Sequence, residues 1–155
     1  MRQVVVFDID GCCVDPSARL PHLIAGDYDT YLKMWETDKP IRQGVAIYSA
    51  FLMSLAYTCL FITSRSEGDR ANTTTQLTRL FGPQLMQRAR ILMRDNDYEG
   101  GRTKNVSEYD IKPMLLQEAG FKLSEVFIAF DDRDIVVKGW RDRGVTCYQT
   151  DYGDF

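Results

Sequence analysis

Two carboxylates stand two residues apart near the start of the chain, in the sequence V-V-V-F-D-I-D-G at 4–11. The apolar residues before Asp8 include three valines, a composition typical of a strand that is buried on both faces. Asp8 and Asp10 therefore follow a buried strand, and Gly11 permits a sharp turn of the backbone. Ligands bind at this end of the strands in open α/β sheets. The ordinary alternative is that such aspartates solvate a loop or cap a helix.

Further polar residues stand beside other predicted strands. They are Thr63, Ser64 and Arg65 at the end of a strand at 58–63, Lys112 near the start of a helix, and Asp131 and Asp132 after a strand at 125–130. Because parallel strands end at the same edge of a sheet, we expect these side chains to lie close to Asp8 and Asp10. Clustered aspartates repel one another unless a hard cation joins them, and Mg²⁺ prefers oxygen ligands. Hydroxyls, the lysine and helix amides would then hold a phosphate.

Strands and helices alternate along the chain. Strands are predicted at 4–7, 58–63, 90–93, 125–130 and 145–149, with helices at 43–56, at 69–81, from Asp110 to Gly120, and through Trp140 to Gly144. Asp110 is expected to cap its helix, which places Lys112 and Pro113 in the first turn. Strands separated by helices need right-handed crossovers, so the predicted fold is a Rossmann-like α/β fold: a parallel five-stranded sheet with helices on both faces.

The segments between these elements include two that interrupt the alternation. Residues 16–42 carry three prolines and several aromatic residues, which predicts a small helical cap insert in which Asp27 or Asp29 caps a short helix. Residues 94–106 hold adjacent glycines and many charges, which indicates an exposed loop. At 155 residues, the chain is expected to form a single domain, 1–155, that includes the insert.

The overall charge and the cysteines limit the function classes. With 19 basic and 22 acidic side chains the net charge is −3, which argues against a broad surface that coats nucleic acid but permits a local basic pocket. No apolar run is long enough for a signal sequence or a membrane span, so we expect a soluble, cytoplasmic protein. The four cysteines, two of them adjacent, are interpreted as reduced thiols and not as a zinc site.

The motifs together resemble the haloacid dehalogenase superfamily of phosphotransferases. The residues that carry the likeness are D-I-D-G from Asp8, I-T-S-R ending at Arg65, Lys112, and D-D at Asp131. A closer likeness, over nearly the whole chain, is to the phosphatase domain of phage polynucleotide kinase-phosphatase and its stand-alone relatives. It rests on I-L-M-R at 91–94, D-x-K at 110–112, F-D-D-R at 130–133, Trp140-Arg141, and G-D-F at 153–155. The kinase half would need a phosphate-binding loop that this sequence lacks.

The resemblance implies a role for each motif residue. Asp8 would attack phosphorus and form an aspartyl-phosphate, and Asp10 would act as general acid and base. Mg²⁺ would be bound by Asp8, the carbonyl of Asp10 and Asp132, with Asp131 as outer support, although the order of the D-D pair leaves open which of the two ligates. Thr63 and Ser64 would bind the phosphoryl group, Lys112 would offset negative charge, and Arg65 would contact substrate phosphate. The family usually has threonine where this chain has Cys12.

The resemblance also implies a substrate, a 3′-phosphate or 2′,3′-cyclic phosphate at a nucleic-acid end. Arg65, Arg94 and Arg102 would supply the few phosphate contacts that an end-directed enzyme needs. The alternative is a nucleoside 5′-monophosphate phosphatase with the same chemistry. A mutase or dehalogenase, and a non-catalytic module that binds Mg²⁺ or phosphate, are more remote alternatives. The aromatic residues Tyr28, Tyr31 and Trp35 fit packing between short helices better than base stacking, and His22 is interpreted as structural or exposed.

Overall fold

The computed structural model describes residues 3–95 and 101–153. In chain order the elements are β1 (Gln3–Phe7), β2 (Val14–Asp15), α1 (Leu20–Ile24), α2 (Tyr28–Lys33), β3 (Lys39–Pro40), α3 (Arg42–Met53), β4 (Tyr57–Ser66), α4 (Arg70–Phe81), α5 (Pro83–Met86), β5 (Ala89–Arg94), α6 (Glu108–Glu118), β6 (Val126–Asp131), α7 (Asp134–Asp142) and β7 (Cys147–Gln149). Short 3₁₀ helices span Met34–Thr37, Glu67–Asp69 and Leu123–Glu125.

The predicted parallel sheet is confirmed. Its strand order is β5-β4-β1-β6-β7, and each neighbouring pair is parallel. The chain adds β4 and β5 on one side of β1, then crosses to add β6 and β7 on the other side. The order therefore reverses between β1 and β6, and that reversal is where open α/β sheets form their binding crevice.

Helices cover both faces of the sheet, as expected for a parallel sheet whose strands are apolar throughout. On one face, Val4, Val6 and Leu60 pack with α6 and α7, and Trp140 is fully buried there. On the other face, alternate strand residues pack with α3, α4 and α5 around an aromatic cluster in which the rings of Phe7 and Tyr48 stack at 4.1 Å. Residues of opposite parity in β1 thus serve opposite cores.

One helix start differs from the prediction. Helix α6 begins at Glu108, after Ser107, so the expectation that Asp110 caps it is wrong, as is the placement of Lys112 and Pro113 in the first turn. Ser107 has an extended backbone, and its carbonyl oxygen accepts the amides of Asp110 and Ile111. Pro113 therefore lies in the second turn and cannot donate to the carbonyl of Tyr109, which instead accepts Arg143 Nη1 at 3.4 Å. The helix predicted over 43–56 ends three residues earlier, at Met53. The helix ends predicted at Gly82, Gly120 and Gly144 are confirmed, and all three glycines have positive φ.

The insert between the first two sheet strands consists of short elements. It contains α1, α2 and the 3₁₀ helix Met34–Thr37, closed by the two-residue antiparallel pair of β2 and β3. Asp27 caps α2, since its carboxylate accepts the amide of Thr30 at 3.1 Å. We call residues 16–41 the insert below.

Two sequence predictions fall partly outside the described residues: the loop at 94–106, of which 96–100 are not described, and the last two residues of G-D-F at 153–155. Over the described ranges, none of the helices combines the length and the apolar character that a membrane span requires. The four cysteines are free and buried.

Candidate active site

The carboxyl ends of β1 and β6 place two aspartates around one lysine. Lys112 Nζ lies 2.6 Å from Asp8 Oδ1 and also contacts Asp131 Oδ2. The lysine is 3% exposed. Burial disfavours its charge, but Asp131 and Asp8 outweigh this and raise the pKa of Lys112 above its usual value. Lys112 reaches both strands because α6 packs on the sheet face directly beside them.

The carboxyl group of Asp8 is itself buried, with 6% of the residue exposed. Burial raises its pKa well above the usual value, the charge of Asp131 raises it further, and Lys112 opposes both effects. The positive charge of Lys112 alone therefore does not balance the negative charge that Asp8 carries when it is ionised. A further cation beside Asp8 would remove this imbalance.

Asp132 has the properties of a metal ligand. Its Oδ1 atom is buried and has no hydrogen-bond partner among the described residues, whereas Asp131 contacts Lys112 with one oxygen and the amide of Arg133 with the other. Burial, followed by the charge of Asp131, raises the pKa of Asp132 to about 6. One ligand atom each of Asp8, Cys12 and Asp132 lie within 4.8 Å of one another. The buried carboxylate oxygens fit Mg²⁺, and of the D-D pair it is Asp132 whose oxygen is available to it.

Gly11 gives Asp132 the space it occupies. Its φ is +78°, and a Cβ at this position would lie 2.0 Å from Asp132 Oδ2. Both the turn and the close approach of the two loops therefore require glycine.

Asp10 belongs to a second charged network. Arg65 donates two hydrogen bonds to the Asp10 carboxylate, from Nε to Oδ2 at 2.8 Å and from Nη2 to Oδ1 at 2.6 Å. Arg19 Nη2 lies 3.7 Å from the same carboxylate, and Arg19 is fully buried with a two-bond contact of its own to Asp38. Burial alone would raise the pKa of Asp10, but Arg65 and then Arg19 hold it below its usual value. About 29% of the Asp10 side chain remains exposed, so this network reaches the mouth of the site.

The structure fixes Arg65 from its other side as well. Its Nη1 donates to Thr73 Oγ1 at 3.1 Å and to Gln76 Oε1 at 2.8 Å, both on α4. Thr63, 1% exposed and three residues before the end of β4, accepts the amide of Arg65 with its hydroxyl oxygen at 3.1 Å. The residues of the I-T-S-R motif thus lie at the same edge of the sheet as Asp10, as expected.

Ser64 and Arg94 both contact Glu108, a residue that was not predicted from the sequence. Glu108 accepts Ser64 Oγ at 2.6 Å and Arg94 Nη1 at 3.0 Å, and it also pairs with Arg133 at 3.1 Å. A usable signal was its spacing, because Glu108 precedes Lys112 by four residues and so shares its helix face. For Arg19 and Asp38, the other missed residues, nothing in the local pattern of the insert indicates a buried ion pair.

The structure does not bring Arg102 together with the cluster. This exposed residue pairs with Asp95 at 2.8 Å and with Glu118 at 2.6 Å. Glu118 is six residues beyond Lys112 on α6, which is about 9 Å further along the helix axis.

Comparisons with known proteins identify the family and the fold of this chain. Residues 2–155 match the family described as the polynucleotide kinase PNKP phosphatase domain. In a solved structure of a Pnkp1/Rnl/Hen1 complex, one chain is similar with 24% identity and a TM-score of 0.69, over 100% of this chain and 48% of that chain. The present chain thus spans about half the length of that protein.

Two other solved structures share the fold over most of both chains. A haloacid dehalogenase-like hydrolase from Streptococcus pneumoniae has 12% identity and a TM-score of 0.63, over 96% of this chain and 84% of that chain. A protein from Thermotoga maritima described as a putative beta-phosphoglucomutase has 16% identity and a TM-score of 0.57, over 97% of this chain and 84% of that chain. At such identities the likeness shows the haloacid dehalogenase fold and leaves the substrate open.

Proposed function

Because the chain belongs to the family of polynucleotide kinase PNKP phosphatase domains, and is thus a phosphatase of the haloacid dehalogenase superfamily, we propose that it removes 3′-terminal phosphate from nucleic acid. The proposed reaction is Mg²⁺-dependent and passes through an aspartyl-phosphate on Asp8. The observation that carries the chemistry is the contact of Lys112 with Asp8 at the point where the strand order reverses.

Asp8 is the proposed nucleophile. An anionic phosphate that approaches an ionised carboxylate is repelled, and Lys112, 2.6 Å from Asp8 Oδ1, is placed to reduce that repulsion. Attack forms the bond between the Asp8 oxygen and phosphorus as the ester oxygen leaves, and water then hydrolyses the acyl phosphate. The hydroxyl group of Thr63, on the neighbouring strand β4, is proposed to form a hydrogen bond with the phosphoryl group.

Asp10 is the proposed general acid and base. Its exposed fraction allows it to reach a leaving oxygen at the mouth of the site, but its contact with Arg65 favours the ionised form. A substrate phosphate would compete with Asp10 for the guanidinium of Arg65, because both are anions suited to the same two-pronged contact. Loss of that contact would raise the pKa of Asp10 and let it carry the proton.

Asp8, the carbonyl oxygen of Asp10 and Asp132 are the proposed Mg²⁺ ligands, supported by the buried Asp132 oxygen without a partner. Asp131 would orient Lys112 and support the site from outside the ligand shell. When bound, Mg²⁺ would offset the negative charge of the phosphoryl oxygens and of Asp8.

A cleft between the insert and α4 is large enough for a nucleobase. It has a volume of about 360 Å³ and is lined by Asp29, Leu32, Lys33, Trp35 and Asn72. The guanidinium group of Arg79 lies over the Trp35 ring, 4.8 Å from its centroid, and that of Arg19 lies over the Tyr31 ring at 4.3 Å. Both aromatic residues therefore have packing roles. A base in this cleft would suit a polynucleotide end and a free mononucleotide equally.

Arg102 is expected to contribute to binding of a polynucleotide end but not of a free mononucleotide. Arg102 pairs with Glu118, six residues beyond Lys112 on α6, so we expect it to contact a phosphate further along a polynucleotide and not the terminal phosphate. Its ion pairs are exposed and therefore weak, so a phosphate group can replace them. Arg94 is held more firmly by Glu108 and by the carbonyl of Val106.

The decisive experiment compares kcat/KM for a 3′-phosphorylated oligonucleotide with kcat/KM for the four 5′-deoxynucleoside monophosphates, with Mg²⁺. We expect the oligonucleotide to be preferred. For the oligonucleotide, Arg102→Ala should flatten the dependence of log(kcat/KM) on log salt by about 0.7, the value for one phosphate contact on a single strand.

Arg88→Ala is the matched control. Arg88 is exposed and precedes β5 at the opposite edge of the sheet, where it bonds the carbonyl of Ser54, so it changes the net charge equally without touching the site. A higher kcat/KM on mononucleotides would establish the 5′-nucleotidase alternative. No turnover of any phosphomonoester by the wild type would favour the binding-module alternative.

A further inference from the structure

The loop after β1 brings a thiol into the carboxylate cluster. Cys12 Sγ lies 3.7 Å from Asp8 Oδ2 and 3.0 Å from Thr150 Oγ1. The cysteine is 1% exposed, and the ligand atoms of Asp8, Cys12 and Asp132 lie within 4.8 Å of one another. The sulfur atom of Cys12 is therefore part of the cluster. Cys12 and the adjacent Cys13 both also border the apolar core, but Cys13 is not one of the three clustered ligand residues.

A second observation points to a cation at the same place. Asp132 is 5% exposed, and its Oδ1 atom has no hydrogen-bond partner within the described part of the chain. A buried carboxylate oxygen without a partner is costly, so such atoms usually belong to a site that a ligand completes. Oxygen atoms alone would suit Mg²⁺, but sulfur is a ligand that Mg²⁺ does not use and that Zn²⁺ and Cd²⁺ prefer.

The Cys12 thiol donates a hydrogen bond to Asp8 Oδ2, and the separation of these two atoms is also close to that between two ligands of a tetrahedral zinc site. With Zn–S near 2.3 Å and Zn–O near 2.1 Å, tetrahedral ligands lie about 3.6 Å apart. The distance from Cys12 Sγ to Asp8 Oδ2 is 3.7 Å. Ligands of an octahedral Mg²⁺ lie closer together, at about 2.9 Å.

We propose that Asp8, Cys12 and Asp132 form a binding site for thiophilic divalent cations, Zn²⁺ above all, which compete there with Mg²⁺. When the metal–sulfur bond forms, the Cys12 thiol releases its proton to solvent. The carboxylates are shared with the proposed catalytic site, but the binding does not depend on which phosphate ester the protein hydrolyses. Zinc would thus exclude Mg²⁺ from the position that catalysis needs.

Cd²⁺ is the probe, because its bond to a thiolate produces an ultraviolet charge-transfer absorption. The full chain is titrated with Cd²⁺ in thiol-free buffer without Mg²⁺. We expect one equivalent of the band in the wild type and in Cys13→Ala, and none in Cys12→Thr. Competition with Mg²⁺ should show that Cys12→Thr lowers the affinity for Cd²⁺ relative to Mg²⁺ by about tenfold or more.

Thermal shifts show that the variant is folded and test the carboxylates. Mg²⁺ should raise the Tm of Cys12→Thr as it does in the wild type, whereas the Tm increase with Zn²⁺ should be largely lost. Asp132→Asn should lose both increases. A full Cd²⁺ band in Cys12→Thr, or no band in the wild type, would overturn the proposal. Because these readouts need no substrate, failure of the proposed 3′-phosphatase activity would leave them unchanged.

Discussion

Asp8→Asn is expected to remove catalysis and yet to stabilise the metal-free protein. At 2.6 Å and an effective dielectric constant of 20, the attraction between Asp8 and Lys112 is about 6 kcal/mol. Asp132, within 4.8 Å, contributes a repulsion of about 3.5 kcal/mol on the same scale, and Asp131 beside the same ammonium adds a similar one. The charges therefore nearly cancel, and the burial of Asp8, which opposes ionisation, decides the sign.

Asparagine removes the charge and keeps an oxygen that accepts from Lys112. We expect a gain of about 1–2 kcal/mol in the free energy of unfolding, within the range for relieved strain at functional sites. For a domain of this size the Tm in EDTA should rise by about 2–8 °C. Saturating Mg²⁺ should reverse the order, since it stabilises the wild type by about 2.7 kcal/mol at a hundred times its Kd and the variant much less.

Asp38→Asn is the control for the sign of the change in unfolding free energy. The Asp38 side chain is fully buried and that of Asp8 nearly so, but Asp38 faces Arg19 at 2.7 Å and Arg65 at 3.5 Å and accepts from Gln76 at 2.8 Å. Its neutralisation leaves two buried arginines with Asp10 as their shared counter-charge and removes the direct partner of Arg19, so we expect a loss of about 3 kcal/mol or more. Thermal unfolding in EDTA measures both variants. A fall of Tm in Asp8→Asn comparable to that in Asp38→Asn would refute the reasoning.

Three further outcomes are expected. Asp10→Asn should slow hydrolysis of alkyl phosphates more than that of p-nitrophenyl phosphate, because only a poor leaving group needs protonation; equal slowing in steady-state assays would argue against the acid role. Gly11→Ala should abolish Mg²⁺-dependent turnover and the Mg²⁺-induced rise in Tm, since its Cβ would lie 2.0 Å from Asp132 Oδ2; normal Mg²⁺ binding by calorimetry would contradict this. The native protein at pH 8 should react slowly with a thiol reagent and fast once unfolded, because burial raises the pKa of Cys59 to about 11 and that of Cys147 to about 12; rapid labelling of the folded protein would count against buried, protonated thiols.

Local patterns in the sequence determined the sheet and the position of its charged edge. The valine run of β1, the alternation of strands with helices, and the glycines after α4, α6 and α7 are signals within one element, and parallel crossovers then force the strand ends to one edge. The meeting of Asp8, Lys112 and Asp131 follows from that topology, because each residue stands at a strand end or a helix start. The start of α6 was misjudged because Ser107 and Asp110 are both good caps, and only the backbone hydrogen bonds distinguish them.

Only the tertiary structure decided which charges neutralise one another. Arg65 was expected to face substrate phosphate, and in the structure its guanidinium grips Asp10, from a strand end 55 residues earlier in the chain. Arg19 and Asp38 in the insert have no local signal of function, and they matter because the insert folds over Asp10. The sequence likewise left open how the two members of the D-D pair differ, and in the structure Asp131 contacts Lys112 whereas Asp132 Oδ1 has no partner among the described residues. Partners of buried charges come from segments distant in sequence, so their pairing depends on three-dimensional packing that no local pattern contains.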